Sequence, residues 1–145
     1  MRFVFLVLSL ASALGASLPD VKSEPNPEKR ARLALQNADE ALTGAKESYA
    51  KQDMVATTAH LEELKDSVEL ARASLQETGK DPRRRPKAFK YGEGRTRELL
   101  RRLDALENAM DFQDRKVLDA VKTKLQEVHE GWLLGIMGGR KGGGE

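Results

Sequence analysis

The sequence of 145 residues contains no cysteine and only two histidines. The lack of cysteine excludes disulfide bonds, thiolate metal sites and the lipid-anchoring motif of bacterial lipoproteins, which requires that residue. A small domain without disulfide bonds or a metal must be stabilised by core burial alone. The chain is long enough to do so as one ordinary domain.

The two histidines do not suggest a shared metal site. His60 and His129 lie at levels of their predicted helices that differ by about 16 Å along a bundle axis. A di-iron bundle would require glutamates where Thr57 and Gln126 stand. A c-type haem site is excluded by the lack of cysteine. The ligand set of a cytochrome of the b562 kind is incomplete, because His129 could provide its histidine but the first predicted helix contains no methionine. We therefore expect no metal and no cofactor, with a metal or cofactor carrier as a less favoured alternative.

Motifs for catalysis are also missing. Ser48, Ser67 and Ser74 have no histidine at helical spacing on their own face, and the Gly92 to Gly94 segment lacks the remaining glycine and the lysine of a phosphate-binding loop. The acidic residues of the second helix have the pattern of a solvated helix face. The sequence predicts a protein that is not an enzyme.

Four stretches repeat apolar residues at alternating steps of three and four. They run from Ala31 to Tyr49, from Met54 to Leu75, from Phe89 to Met110 and from Leu118 to Trp132. This period places one apolar stripe on each helix, which partner helices must cover. The stripes predict an all-α fold with helices at about 27–52, 54–78, 86–110 and 112–137.

Capping residues support these boundaries. Asn26 and Asp53 are predicted N-caps, Gly79 a left-handed helix end, and Asp111 with Asp114 a variant capping box. The two outer connections are short, and the middle one, about seven residues long, cannot return along a whole helix. The prediction is an antiparallel up-down four-helix bundle over residues 27–138.

Two other arrangements stay open on the same pattern. The two helical hairpins could dimerise or stay separate. The turn from Tyr49 to Asp53 resembles that of a tetratricopeptide-type hairpin. That resemblance covers only the first two helices, and the small and aromatic signature residues of the family are absent.

The N-terminus has the build of a secretory signal peptide. Arg2 precedes an apolar run from Phe3 to Leu10, and small residues follow as far as Ala16. We expect residues 1–16 to be removed by cleavage within 13–16, residues 17–26 to form a flexible lead-in, and residues 139–145 to be a disordered glycine-rich tail. The mature protein is expected to be soluble and exported, in the periplasm or outside the cell. An exported helical chain without cysteine favours a bacterial rather than a eukaryotic protein.

Positive charge is concentrated in one segment. Residues 80–102 include ten basic and three acidic residues, a net charge of +7, whereas the rest of the mature chain carries −6. Such a focused charge attracts phospholipid headgroups, anionic polysaccharide, or an acidic protein face. Export argues against a nucleic-acid partner. The alternative interpretation is a solvated loop whose arginines pair within the fold.

The C-terminal end of the fourth helix is apolar on nearly all sides, from Gly131 to Met137. In the predicted topology it lies beside the basic loop, a combination used in peripheral membrane binding. The candidate binding residues are Arg83, Arg84, Arg85, Lys87, Lys90 and Trp132. The predicted function is an exported binding module, and the alternative is a structural or chaperone-like envelope protein acting as a homodimer.

Overall fold

The computed structural model describes residues 17–138, which are helical and contain no strand. The elements are α1 (Leu18–Lys22), α2 (Pro27–Ala50), α3 (Met54–Glu77), α4 (Lys87–Ala109), a 3₁₀ helix (Phe112–Leu118) and α5 (Asp119–Met137). The predicted all-α class is confirmed. The predicted signal peptide and glycine-rich tail lie outside the described residues.

Three of the predicted helix boundaries rest on local chemistry that the structure confirms. The Asn26 side chain accepts a hydrogen bond from the backbone N–H of Lys29, and the Asp53 side chain accepts one from that of Ala56, each at 3.0 Å. Gly79 follows α3 with a positive φ of 67°. The two side chains satisfy free N–H groups at the start of a helix, and Gly79 turns the backbone away at the end of one.

The prediction of a flexible lead-in is wrong for residues 18–22, which form α1. Leu18 and Val21 are buried, and Val21 joins the main hydrophobic core. The Arg30 side chain of α2 donates a hydrogen bond of 2.8 Å to the carbonyl of Glu24 just after α1. Burial of two apolar residues three positions apart, together with this hydrogen bond, docks the short segment on the bundle.

The predicted capping box at Asp111 is also wrong. Asp111 makes no side-chain cap, and residues 112–118 form a 3₁₀ helix rather than the first turns of an α-helix. The carboxylate of Asp114 instead accepts a hydrogen bond from the Tyr49 hydroxyl at 3.0 Å. The tertiary hydrogen bond between Tyr49 and Asp114 therefore replaces the predicted local capping bond.

Contacts between helices show how the two hairpins meet. In the antiparallel pair α2/α3, Arg30 reaches Ser74 and Asn37 reaches Ser67, both at 2.8 Å. The pair α4/α5 is also antiparallel, whereas α3 lies beside α5 and α2 beside α4. The α2/α3 contact is the most extensive, because alanines line α2 and small residues line the facing side of α3.

Leucines from five elements fill the centre of the core, and the completely buried ones are Leu42, Leu64, Leu99, Leu103, Leu118 and Leu125. Each element also retains a polar face. Within residues 17–138, no helix has both the length and the apolar character needed to cross a membrane.

Candidate binding surface at the basic pole

The molecule has two ends of different composition. We call one the basic pole: α1, the loop of residues 78–86, the start of α4 and the end of α5. The other is the turn pole: the turn of residues 51–53 and the segment 110–118. At the basic pole the loop packs on α5, because a β-carbon at Gly135 would lie 3.1 Å from the Pro82 ring and one at Gly138 would lie 2.9 Å from the Arg83 side chain.

Asp81 organises the loop of the basic pole. Its side chain accepts a hydrogen bond from the backbone N–H of Arg83 at 2.9 Å, and its carbonyl accepts bonds from those of Arg84 and Arg85. Hydrogen bonds to this one residue thereby fix the backbone conformation of three consecutive arginines. All three arginines are exposed, as predicted residues of a binding surface must be.

Most of the positive charge in the loop and at the start of α4 is not neutralised. No ion pair within residues 17–138 involves Arg83, Arg85, Lys87 or Lys90, and all four residues are exposed. Arg84 approaches Asp81 only at 3.9 Å, with its side chain 88% exposed. Arg83, Arg84, Arg85, Lys87 and Lys90 therefore form a strongly positive surface.

The second half of the basic segment behaves differently. Arg95 and Arg102 both pair with Asp39 of α2, so they link two helices. Arg97 and Arg101 pair with glutamates on their own helix, and the hydrogen bond from Arg101 lowers the pKa of Glu98. The alternative interpretation, pairing within the fold, is therefore right for residues 95–102.

Trp132 is a core residue and is not part of the exposed apolar surface of the basic pole. It is only 6% exposed, and its indole lies so close to Gly92 that a β-carbon there would be 2.7 Å from the ring. Leu134 and Met137, which follow on the same helix, are 56% and 74% exposed. The apolar surface of this pole is thus provided by Leu134 and Met137.

Beside the basic pole, a groove of about 490 Å³ runs between the end of α3 and α5. Its lining residues are Arg72, Gln76, Gly79, Lys80, Pro82, Phe89, Glu127, Val128, Gly131 and Trp132. Sequence reasoning did not predict it, because its walls come from three segments distant in the chain. The only sequence feature that indicates a groove here is the presence of two glycines, Gly79 and Gly131, which have no side chain to fill the space.

The histidines lie in separate surroundings. His60 packs over Gly44 of α2, whereas His129 of α5 lies 3.1 Å from the Thr96 hydroxyl and 4.0 Å from Glu93. Among residues 17–138 there is no group of three or more histidine, aspartate or glutamate side chains placed to hold a metal ion.

Comparison with known proteins found no matching family model, no matching curated protein and no matching solved structure.

Proposed function

We propose that this chain is an exported, non-enzymatic protein, an antiparallel up-down four-helix bundle whose basic pole binds anionic phospholipid membranes. One observation carries the proposal. Arg83, an exposed cation without an ion-pair partner among the described residues, packs beside Gly138 at the end of α5, where the side chains of Leu134 and Met137 are exposed. Peripheral membrane binding combines these two properties.

The electrostatic contribution is large enough to matter. Each lysine or arginine close to an anionic membrane contributes about 1 kcal/mol. Arg83, Arg84, Arg85, Lys87 and Lys90 together therefore contribute about 5 kcal/mol at most, before the cost of losing free rotation and translation. Binding should weaken with salt, because added ions screen these charges.

The exposed apolar side chains favour a membrane over a polysaccharide. Leu134 and Met137 gain free energy only if they leave water, and a polysaccharide chain offers little apolar material to cover them. A membrane interface can bury both while its headgroups meet the loop. Export through the predicted signal peptide would bring the protein to such a surface outside the cytoplasm.

Co-sedimentation with vesicles tests the electrostatic contribution to membrane binding. We expect binding to vesicles that contain phosphatidylglycerol, and none to pure phosphatidylcholine. The triple substitution of Arg83, Arg84 and Arg85 to alanine should weaken binding by about 3 kcal/mol, roughly a hundredfold. The matched control is alanine at the exposed Lys46, Lys51 and Lys116, which makes the same charge change towards the turn pole.

Equal loss of binding in the two triple variants would contradict a role for the basic pole and indicate a dependence on net charge alone. Absence of binding at low salt would contradict the whole proposal.

The apolar contribution to membrane binding is tested by comparing serine substitutions at the two poles. Changing Leu134 and Met137 to serine should weaken vesicle binding at least about tenfold, since two side chains no longer enter the interface. The same change at Val55 and Phe112, which are 84% and 86% exposed at the turn pole, should have little effect. If the wild type forms a dimer that buries Leu134 and Met137, the proposal is wrong and the dimeric alternative is favoured.

A further inference from the structure

The groove between α3 and α5 is large enough for a small molecule. Its volume of about 490 Å³ falls within the range of about 300–1,000 Å³ that is usual for ligand sites. Phe89, Val128 and Trp132 form its apolar floor, and all three belong to the buried core. The floor is therefore held rigidly by packing beneath it.

Two glycines leave the groove open. A β-carbon at Gly79 or at Gly131 would have no atom from elsewhere in the structure within 4 Å. Gly79 needs its positive φ of 67°, but Gly131 lies inside α5 in an ordinary helical conformation. Glycine within a helix costs about 1 kcal/mol relative to alanine. No backbone requirement explains Gly131, and the space above it is part of the groove.

The two ends of the groove differ in the charged residues around them. Lys80 and the loop that carries Arg83 border one end, next to the basic pole. The opposite end has Arg72, which pairs with Glu69, and the carboxylate of Glu127. The tips of Arg72 and Lys80 are held by ion pairs, so their aliphatic stems are what they offer to the groove. Arg83 does not line the groove itself; its side chain lies beside Gly138 of α5, and no ion pair among the described residues involves it.

We propose that this groove holds the hydrocarbon chain of one anionic amphiphile, with its charged head at the loop end beside Arg83. The apolar floor accommodates the chain, and the positive loop selects the head. A fatty acid and a membrane phospholipid share this chemistry. The choice of an anionic head rests on the proposed function, whereas the groove itself does not.

Trp132 is the only tryptophan of the chain and lies on the floor, so its fluorescence reports occupancy directly. The probe is a fatty acid brominated in mid-chain, titrated below its micelle concentration, because bromine quenches an indole that it touches. We expect saturable quenching at one molecule per protein. The brominated alcohol of the same chain length should bind at least about tenfold more weakly, since it lacks the charge.

Gly131→Leu is the blocking variant, because its side chain would enter the groove without backbone strain. It should weaken fatty-acid binding at least about tenfold while the helical circular dichroism and the melting temperature are retained. Gly94→Leu is the matched control on α4, outside the groove, where a β-carbon meets only the tip of Arg97 at 3.8 Å. It should bind like the wild type.

The two possible sources are distinguished by adding vesicles. If a membrane phospholipid provides the chain, phosphatidylglycerol vesicles with brominated chains quench Trp132, and Gly131→Leu abolishes that quenching. If only monomeric fatty acid quenches, the groove takes a free amphiphile. Both outcomes support the groove as the site.

Quenching that does not saturate, or that Gly131→Leu leaves unchanged, would overturn the proposal even if vesicles still bind through the basic pole. Equal affinity for the acid and the alcohol would overturn the anionic head. Loss of vesicle binding with intact fatty-acid binding would instead contradict the proposed function alone.

Discussion

The basic pole and the turn pole both expose large apolar side chains, yet they differ in charge. Val55 and Phe112 at the turn pole are more exposed than Leu134 and Met137 at the basic pole. The segments 51–55 and 110–118 hold three basic and three acidic residues, whereas Lys80 to Lys90 holds six basic residues and one acidic residue. Exposed apolar residues are therefore common to both poles, whereas an excess of positive charge distinguishes the basic pole. The proposed function rests on that combination.

The poles also differ in how they are held together. At the basic pole, the buried guanidinium of Arg30 bonds to Ser74, to the carbonyl of Glu24 and to Glu77, so it joins α1, α2 and α3. At the turn pole, the Tyr49 hydroxyl accepts from the backbone N–H of Asp111 and donates to Asp114. A buried cation stabilises one end and a neutral hydroxyl the other.

Arg30→Met should produce the largest loss, about 2–3 kcal/mol in the free energy of unfolding. It leaves the buried Ser74 hydroxyl and the Glu24 carbonyl without their donor. The loss stays below that of a fully buried ion pair, because the Glu77 side chain is 61% exposed. Urea denaturation measures it. Arg32→Met, a nearby exposed arginine stacked on Tyr91, is the control and should cost well under about 1 kcal/mol.

Gly92→Ala should destabilise the protein by about 1–2 kcal/mol, although alanine is the better helix former, because the Trp132 ring is fixed in the core and must move. Gly44→Ala towards the turn pole meets the half-buried ring of His60 at the same 2.7 Å, but that ring can turn outward. It should be neutral or slightly stabilising. Thermal unfolding of the two variants measures the contrast, and equal effects would show that Trp132 is not rigid.

Tyr49→Phe should cost about 1 kcal/mol, since it removes two hydrogen bonds at a partly exposed site. Amide hydrogen exchange should become faster at Asp111 and in the 3₁₀ helix, and stay unchanged at the basic pole. Faster exchange in both places would contradict the separate stabilisation of the two poles.

Glu69→Gln should have the smallest effect, about 0.5 kcal/mol at neutral pH, and the effect should depend on pH. Burial of Glu69 opposes its ionisation, but hydrogen bonds from Arg72 and Lys124 outweigh burial and lower its pKa. A lowered folded pKa gives stability above the ordinary value of about 4.3 that is lost as the pH falls through the folded pKa. Wild type and variant should therefore converge in acid. Glu130→Gln, with no ion pair among residues 17–138, should show no such difference.

Much of the fold could be predicted from the chain because it depends on local chemistry. Asn26, Asp53 and Gly79 act within a few residues of themselves, and the stripes repeat within one helix. The 3₁₀ helix could not be predicted in this way, because Asp114 is drawn to Tyr49, 65 residues earlier. The need for glycine at position 92 could not be predicted either, because it comes from the ring of Trp132, 40 residues later.

For the candidate site, the sequence predicted which residues are basic and that the loop meets the end of α5. It could not separate the exposed cations of the loop from Arg95 and Arg102, because Asp39, which neutralises those two, lies more than 50 residues away. It also assigned Trp132 to the surface patch, whereas packing on Gly92 buries it.

The amino-acid sequence by itself determined the helical class, the positions of the helices and the concentration of positive charge, since these follow from short-range periodicity, capping and composition. Only the tertiary structure decided which cations stay without a partner, which apolar side chains stay exposed and where the groove opens. Those properties depend on contacts between helices far apart in the chain, where one acidic residue or one missing β-carbon changes the outcome.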